Sequence, residues 1–309
     1  MARNTNKQSS DILPIAVMGC LFVVIHVLAL LVIGPFEEAG VEPAFENPDD
    51  PMNLVYFFVI ILAMTAIILA IAKYWKKQVI QAIILGAIGY TSWYVFYPLL
   101  TLLIPRLFAL AFAVIFATLL IATLYKFPEW YVIDVSGIIV GAGAIAIFGI
   151  SLGVLLVVIL LIALAIYDAI SVYKTKHMID LADTVMDLKL PVLLVVPKRR
   201  HYSLIKETKR LKEQLKEGEE RDAFFMGLGD IVMPGILVAA VYYTGTPHTL
   251  AIALSVIVGT LVGFSMLMTF VIKGKPQAGL PLLCGGAIGG YLISSYLFAG
   301  ELVGLILPF

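Results

Sequence analysis

Charge, cysteine and histidine are all scarce in this sequence. Asp, Glu, Lys and Arg together make up 14% of the 309 residues, against roughly 25% in an ordinary soluble domain. A solvent-covered globule is therefore excluded. The two cysteines, Cys20 and Cys284, both sit in apolar stretches, so neither a disulfide framework nor a thiolate metal site is expected. The four histidines (His26, His177, His201 and His248) are scattered and form no metal-binding cluster. No metal or other cofactor is expected. Acidic and basic residues balance to a formal net charge of zero, and no nucleic-acid partner is expected. No cleavable leader is expected either, because the first apolar run is full span length with no small-residue cleavage site after it.

What is present is apolar. Hydrophobic residues make up 61% of the chain and mean hydropathy is +1.01. The pattern predicts a polytopic membrane protein with the lipid bilayer as its solvent. Helical spans are expected at residues 12–33, 54–72, 79–103 and 107–124. The stretch from Tyr131 to Asp168 is too long for one crossing, since about 20 residues suffice, and it is split near Gly149–Gly153 into a fifth and a sixth span. Three more follow at residues 223–243, 249–272 and 280–297. The expected fold is thus all-α, with nine transmembrane helices in a single membrane domain over residues 1–309. Residues 169–222 form its one long inner segment. If the N-terminus is cytoplasmic, every one of the 21 Lys and Arg residues except Arg106 falls on the inner side. Basic loops stay inside, so the C-terminus is expected outside. The cell membrane is the expected location.

Two acids break the apolar runs. Asp168 ends the run 160–168, and Asp230 lies in Met226-Gly227-Leu228-Gly229-Asp230-Ile231-Val232. An intramembrane carboxylate costs several kcal/mol and is a functional hypothesis by default. The alternative is a structural polar contact between helices. Asp168 lies six residues before Lys174, about 9 Å of helical rise. Asp230 lies nine residues after Arg221, about 13 Å in. The sixth span runs inward and the seventh outward, so the two carboxyls are expected at similar depth, facing each other. Such a pair can do aspartic-protease chemistry. One carboxylate takes a proton from a bound water while the other, protonated, hydrogen-bonds the scissile carbonyl, the pair sharing one proton between them.

Tyr167-Asp168 and Gly227-Leu228-Gly229-Asp230, on the sixth and seventh of nine spans with a long basic segment between them, resemble the YD and GxGD motifs of the presenilin and signal peptide peptidase family of intramembrane aspartyl proteases. GxGD alone is also found in type IV prepilin peptidases. The resemblance covers the whole topology, and the cytoplasmic N-terminus is similar to presenilin. It implies cleavage of single-span transmembrane helices by Asp168 and Asp230. The compact loops suggest a minimal, microbial version; oligomeric state is left open. The family's third motif, Pro-Ala-Leu at the head of the ninth span, is not literal here. Of two settings, Ala278-Gly279-Leu280 followed by Pro281 is preferred over Pro281-Leu282-Leu283, because a small residue then stands beside the dyad. The alternative is an ordinary proline-led helix entry.

Gly227 and Gly229 are expected to let another backbone approach Asp230. The glycines of the eighth and ninth spans (Gly259, Gly263, Gly285, Gly286, Gly289 and Gly290) read instead as helix packing. Tyr167 is expected to orient Asp168 or line the pocket, or else to anchor the helix at the interface. Residues 170–188 read as an amphipathic continuation at the inner interface, and residues 202–222 as a solvated helical linker. Between them, two prolines bracket Val192-Leu193-Leu194-Val195-Val196, a strand signature. This strand is expected to pair with an unwound substrate by edge addition, or else to tether the loop. Asp134 reads as an acid near the inner interface, within reach of water. The rival function is a proton- or sodium-coupled transporter using the same acids. That reading explains two carboxyls but not the paired motifs.

Overall fold

A computed structural model of the chain describes residues 2–74, 77–175, 193–199, 202–204, 223–272 and 277–305. It is mostly helical: α1 (Ala2–Ala39), α2 (Met52–Tyr74), α3 (Lys77–Thr101), α4 (Arg106–Lys126), α5 (Trp130–Ser151) and α6 (Val154–Ile170) precede a two-stranded hairpin. The strands are β1 (Leu193–Pro197) and β2 (Ala223–Gly227), followed by α7 (Leu228–Tyr243), α8 (Thr249–Ile272) and α9 (Leu280–Ala299). Among the described residues, seven helices are long and apolar enough to cross a membrane, and the apolar stretches Met52–Met64 and Leu228–Tyr243 are shorter.

The break between α5 and α6 falls at Leu152 and Gly153, inside the expected interval. Leu152 is extended, and the Gly153 amide is bonded to Pro48 of the acidic loop. The same loop donates the Ala44 amide to Ser151, so the connection after α1 seals the α5–α6 turn. α1 is longer than its apolar run and carries Glu37 and Glu38 in its last turns.

At the head of the seventh span the expectation was wrong. Residues 223–227 were assigned to a helix and instead form β2, antiparallel to β1, with Leu194 opposite Met226 and Val196 opposite Phe224. Aromatic residues favour strands, and the two glycines that follow favour helix least among non-proline residues. The Lys198 ammonium lies over the Phe224 ring, 4.3 Å from its centroid, at the end of the pair. Residues 223–227 on the approach to Asp230 are extended rather than helical, so they rise about 3.3 Å per residue instead of about 1.5 Å. The amphipathic segment expected to Leu188 and the charged linker lie mostly outside the described residues. Of the former, α6 ends in a π-helical turn, Ser171–Thr175.

α7 is the centre of the bundle. Ile231, Val232 and the unbroken run Pro234–Val241 are all buried, between α5, α1, α8 and α6. A helix apolar on all sides belongs in such a place. α4 is peripheral: its buried residues Ala109, Ala113 and Ala117 recur every four positions, a small-residue stripe laid on α3. α8 and α9 form the most intimate pair. A methyl on Gly259 would strike the Gly286 carbonyl, and one on Gly263 the Leu282 carbonyl. Four of the six glycines expected to pack do so; Gly285 and Gly289 face open space.

Candidate active site

Three helix ends converge. Asp168 lies two residues before the end of α6, Asp230 in the first turn of α7, and Gly279 caps α9. The first backbone N–H groups of a helix have no intrahelical partner. At α9 they are spent on Asp168: the Leu280 amide donates to its Oδ2 at 3.0 Å, and the Gly279 amide also bonds this carboxyl. Pro281, in the first turn of α9, has no N–H that would need a partner. The helix dipole adds a positive field at the same point. Asp230 lies against the same residue: a methyl on Gly279 would stand 3.3 Å from its Oδ2. The two carboxyls thus meet at the head of α9 and act electrostatically on each other. Cys284, one turn further along α9, is buried and feels both charges.

The local sequence explains the approach to Asp230. Gly227 ends β2 and caps α7 in an extended conformation. A methyl there would lie 3.4 Å from Asp230 Oδ2, whereas one on Gly229 would meet nothing within 4 Å. Leu228, between them, is buried. Its side chain turns to α5, where a methyl on Gly141 would meet Leu228 Cδ1 at 3.2 Å. The motif therefore alternates, with a packed leucine anchoring the junction and two glycines leaving the carboxyl uncovered. Asp168 is 5% exposed and Asp230 is partly buried. Ala278 is fully buried.

Among the sequence-picked residues, the structure brings together Asp168, Asp230, Gly227, Gly279 and Leu280. Tyr167 is directed elsewhere: it is 71% exposed, on the open face of α6. Leu228 and Ala278 support the site from within the packing and are not presented to it.

Sequence reading missed the part played by Asp134. Its carboxyl is buried and accepts the Val195 amide at 2.8 Å. Glu129, at the head of the same helix, accepts from the Ser203 hydroxyl at 2.7 Å and the Leu204 amide at 3.1 Å. The available signal was two acids bracketing the start of an apolar span. Because the Val195 amide points to α5, the alternation of an antiparallel pair puts the ladder bonds on Leu194–Met226 and Val196–Phe224. Ala223 and Phe225 then present their amides and carbonyls on the far edge of β2, and Gly227 its amide, the Gly227 carbonyl being taken by the first turn of α7. β1, the strand expected to receive substrate, is engaged on both sides, by β2 and by Asp134.

A model of the family described as signal-peptide peptidase, presenilin aspartyl protease matches residues 19–300. No curated protein matches the chain. Among solved structures, a presenilin family intramembrane aspartate protease in space group C222 is similar at 36% identity and a TM-score of 0.70, over 92% of this chain and 99% of the other. A structure of such a protease in space group P2 is similar at 35% identity and a TM-score of 0.67, over 91% and 96%.

Proposed function

As the chain belongs to the signal-peptide peptidase and presenilin aspartyl protease family and is an intramembrane aspartyl protease, we propose that Asp168 and Asp230 are its catalytic pair. The observation that carries this is that both carboxyls meet at the head of α9, Asp168 held by the Gly279 and Leu280 amides and Asp230 beside the Gly279 α-carbon. A water between the carboxyls attacks the scissile carbonyl carbon. One carboxylate takes the water proton, and the other carboxyl gives its proton to the carbonyl oxygen. The resulting gem-diol collapses, the C–N bond breaks, and the amine leaves with a proton returned by the pair. The α9 amides hold Asp168 in place through these steps, so no side chain need reorganise.

The substrates are transmembrane segments of single-span proteins. Peptide bonds inside a helix are shielded, so the segment must be extended where it is cut. Among the described residues no third strand covers the far edge of β2, which ends three residues before Asp230, and the extended segment adds to that edge. Gly227 and Gly229 leave room for its backbone, and the Ala278-Gly279-Leu280-Pro281 stretch bounds the other side. Tyr167, on the open face of α6, meets substrate or lipid.

In this reading residues 1–309 form one membrane domain that crosses nine times, with α2 and α7 added to the seven full-length helices and residues 169–222 on the cytoplasmic side. The inward bias of Lys and Arg supports that direction, and the cell membrane is its location.

The pair can be tested by binding. A peptide carrying a hydroxyl in place of the scissile carbonyl mimics the gem-diol and should bind the wild type more tightly than the parent peptide. It should lose that advantage against Asp168→Asn and against Asp230→Asn. Equal binding of the analogue to all three proteins would remove the pair from the mechanism.

A further inference from the structure

We propose that Asp134 is a positioning residue for the reaction: by holding the Val195 amide it fixes the β1–β2 pair in the register that sets which substrate bond meets Asp168 and Asp230. This rests on the dyad and on the open β2 edge argued above. Asp134 is 6% exposed inside an apolar helix, and a buried carboxyl is costly unless a partner compensates it. Here the partner is a strand amide 61 residues away in sequence.

The helix face around Asp134 is shaped for the same job. Asp134, Gly137 and Gly141 lie at i, i+3 and i+7, along one side of α5. A methyl on Gly137 would meet Leu194 Cδ2 at 2.8 Å, and one on Gly141 would meet Leu228 Cδ1 at 3.2 Å. One stripe of α5 therefore seats β1 at Leu194, bonds it at Val195, and seats the β2–α7 junction at Leu228. Val195 lies opposite Phe225, two residues before Gly227 and five before Asp230. A slip of one residue between the strands moves one along the other by about 3.3 Å and exchanges their faces. A substrate strand laid against β2 would then present a neighbouring bond to the dyad. The same hydrogen bond takes the Val195 amide on the outer side of β1, which favours the β2 edge, next to Asp230, as the place for strand addition.

The test reads product masses from cleavage of a single-span reporter by purified full-length protein. Asp134→Leu and Asp134→Ala remove the acceptor, while Asp134→Asn keeps a side-chain oxygen at the same reach. We expect the Leu and Ala variants, recovered folded by an unchanged elution volume, to spread the cut over neighbouring bonds. The Asn variant should restore the wild-type site. Wild-type masses from the Leu or Ala variant, whatever the rate, would overturn the proposal, because a purely structural role lowers the amount of active enzyme without moving the cut. Failure of both variants to fold would also overturn it and make Asp134 a folding residue. The dyad is judged separately in the same assay: if Asp168→Asn or Asp230→Asn still cuts, the site reading fails. If both are silent while Asp134→Leu cuts at the wild-type bond, only this inference fails.

Discussion

Between α8 and α9, a methyl group on Gly259 would strike the main-chain carbonyl of Gly286, and one on Gly290 would crowd the carbonyl of Ser255. At the β2–α7 junction, a methyl on Gly227 would rest at 3.4 Å from the Asp230 carboxyl, and one on Gly229 would touch nothing within 4 Å. The same residue type serves opposite ends in the two places. In the seam it lets two backbones fill the space between them, which is how helices associate where lipid removes the hydrophobic drive. At the junction it keeps space open beside the carboxyl that, in the proposed mechanism, meets a substrate. Gly279 stands between the two cases, since it lies at the head of the tight helix pair and 3.3 Å of clearance separates its missing methyl from Asp230.

Substitution can break this contrast or sharpen it. The largest effect is expected from Gly259→Val, where the collision is with main chain and cannot be relieved by a rotamer. Overpacking of this kind costs about 1–3 kcal/mol or more, so thermal stability and cleavage should fall together. A Gly259→Val protein that melts like wild type would show that the seam is looser than described.

Next comes Gly279→Val. The branched side chain presses on Asp230 while leaving the α8–α9 contacts at Gly259 and Gly286 untouched. Cleavage should drop by about 100-fold or more, the scale of losing one acid–base group, with little change in melting temperature. Gly227→Ala should cost several-fold in turnover at unchanged stability, because its methyl meets the carboxyl at ordinary contact distance. Smallest and most telling is Gly229→Ala. Replacing glycine by alanine in a helix gains up to about 1 kcal/mol, so stability should rise while cleavage falls by a few-fold as the methyl enters the substrate path. If stability and cleavage both rose, the space in front of Gly229 would not be part of that path.

Much of this arrangement was legible before any coordinates. The break at Leu152–Gly153 followed from the length of one bilayer crossing, and the pairing of Asp168 with Asp230 from two acids in consecutive antiparallel spans. The segment Leu193–Pro197 announced itself through prolines and valines too few for a helix. Its partner did not. Ala223–Gly227 runs straight into the apolar residues of α7, and hydropathy cannot tell a strand from the first turns of a helix when one apolar run continues into another. Phe224, Phe225 and the two glycines were the local clue. Asp134 was passed over for a related reason. Its role lies in a hydrogen bond to the amide of Val195, 61 residues away, and main-chain partners leave no mark on sequence pattern. Gly285 and Gly289 were assigned to packing along with their neighbours, although α9 turns them to the open side; a run of glycines does not reveal which of them faces the partner helix.

Asp168 and Asp230, brought together at the head of α9, are the proposed pair that cuts transmembrane segments. The most direct measurement is cleavage of a single-span reporter in detergent by purified wild type, Asp168→Asn and Asp230→Asn, all matched for folded protein. The account predicts a cut within the span by the wild type and none by either variant. A variant that still cut at the same bond would contradict it.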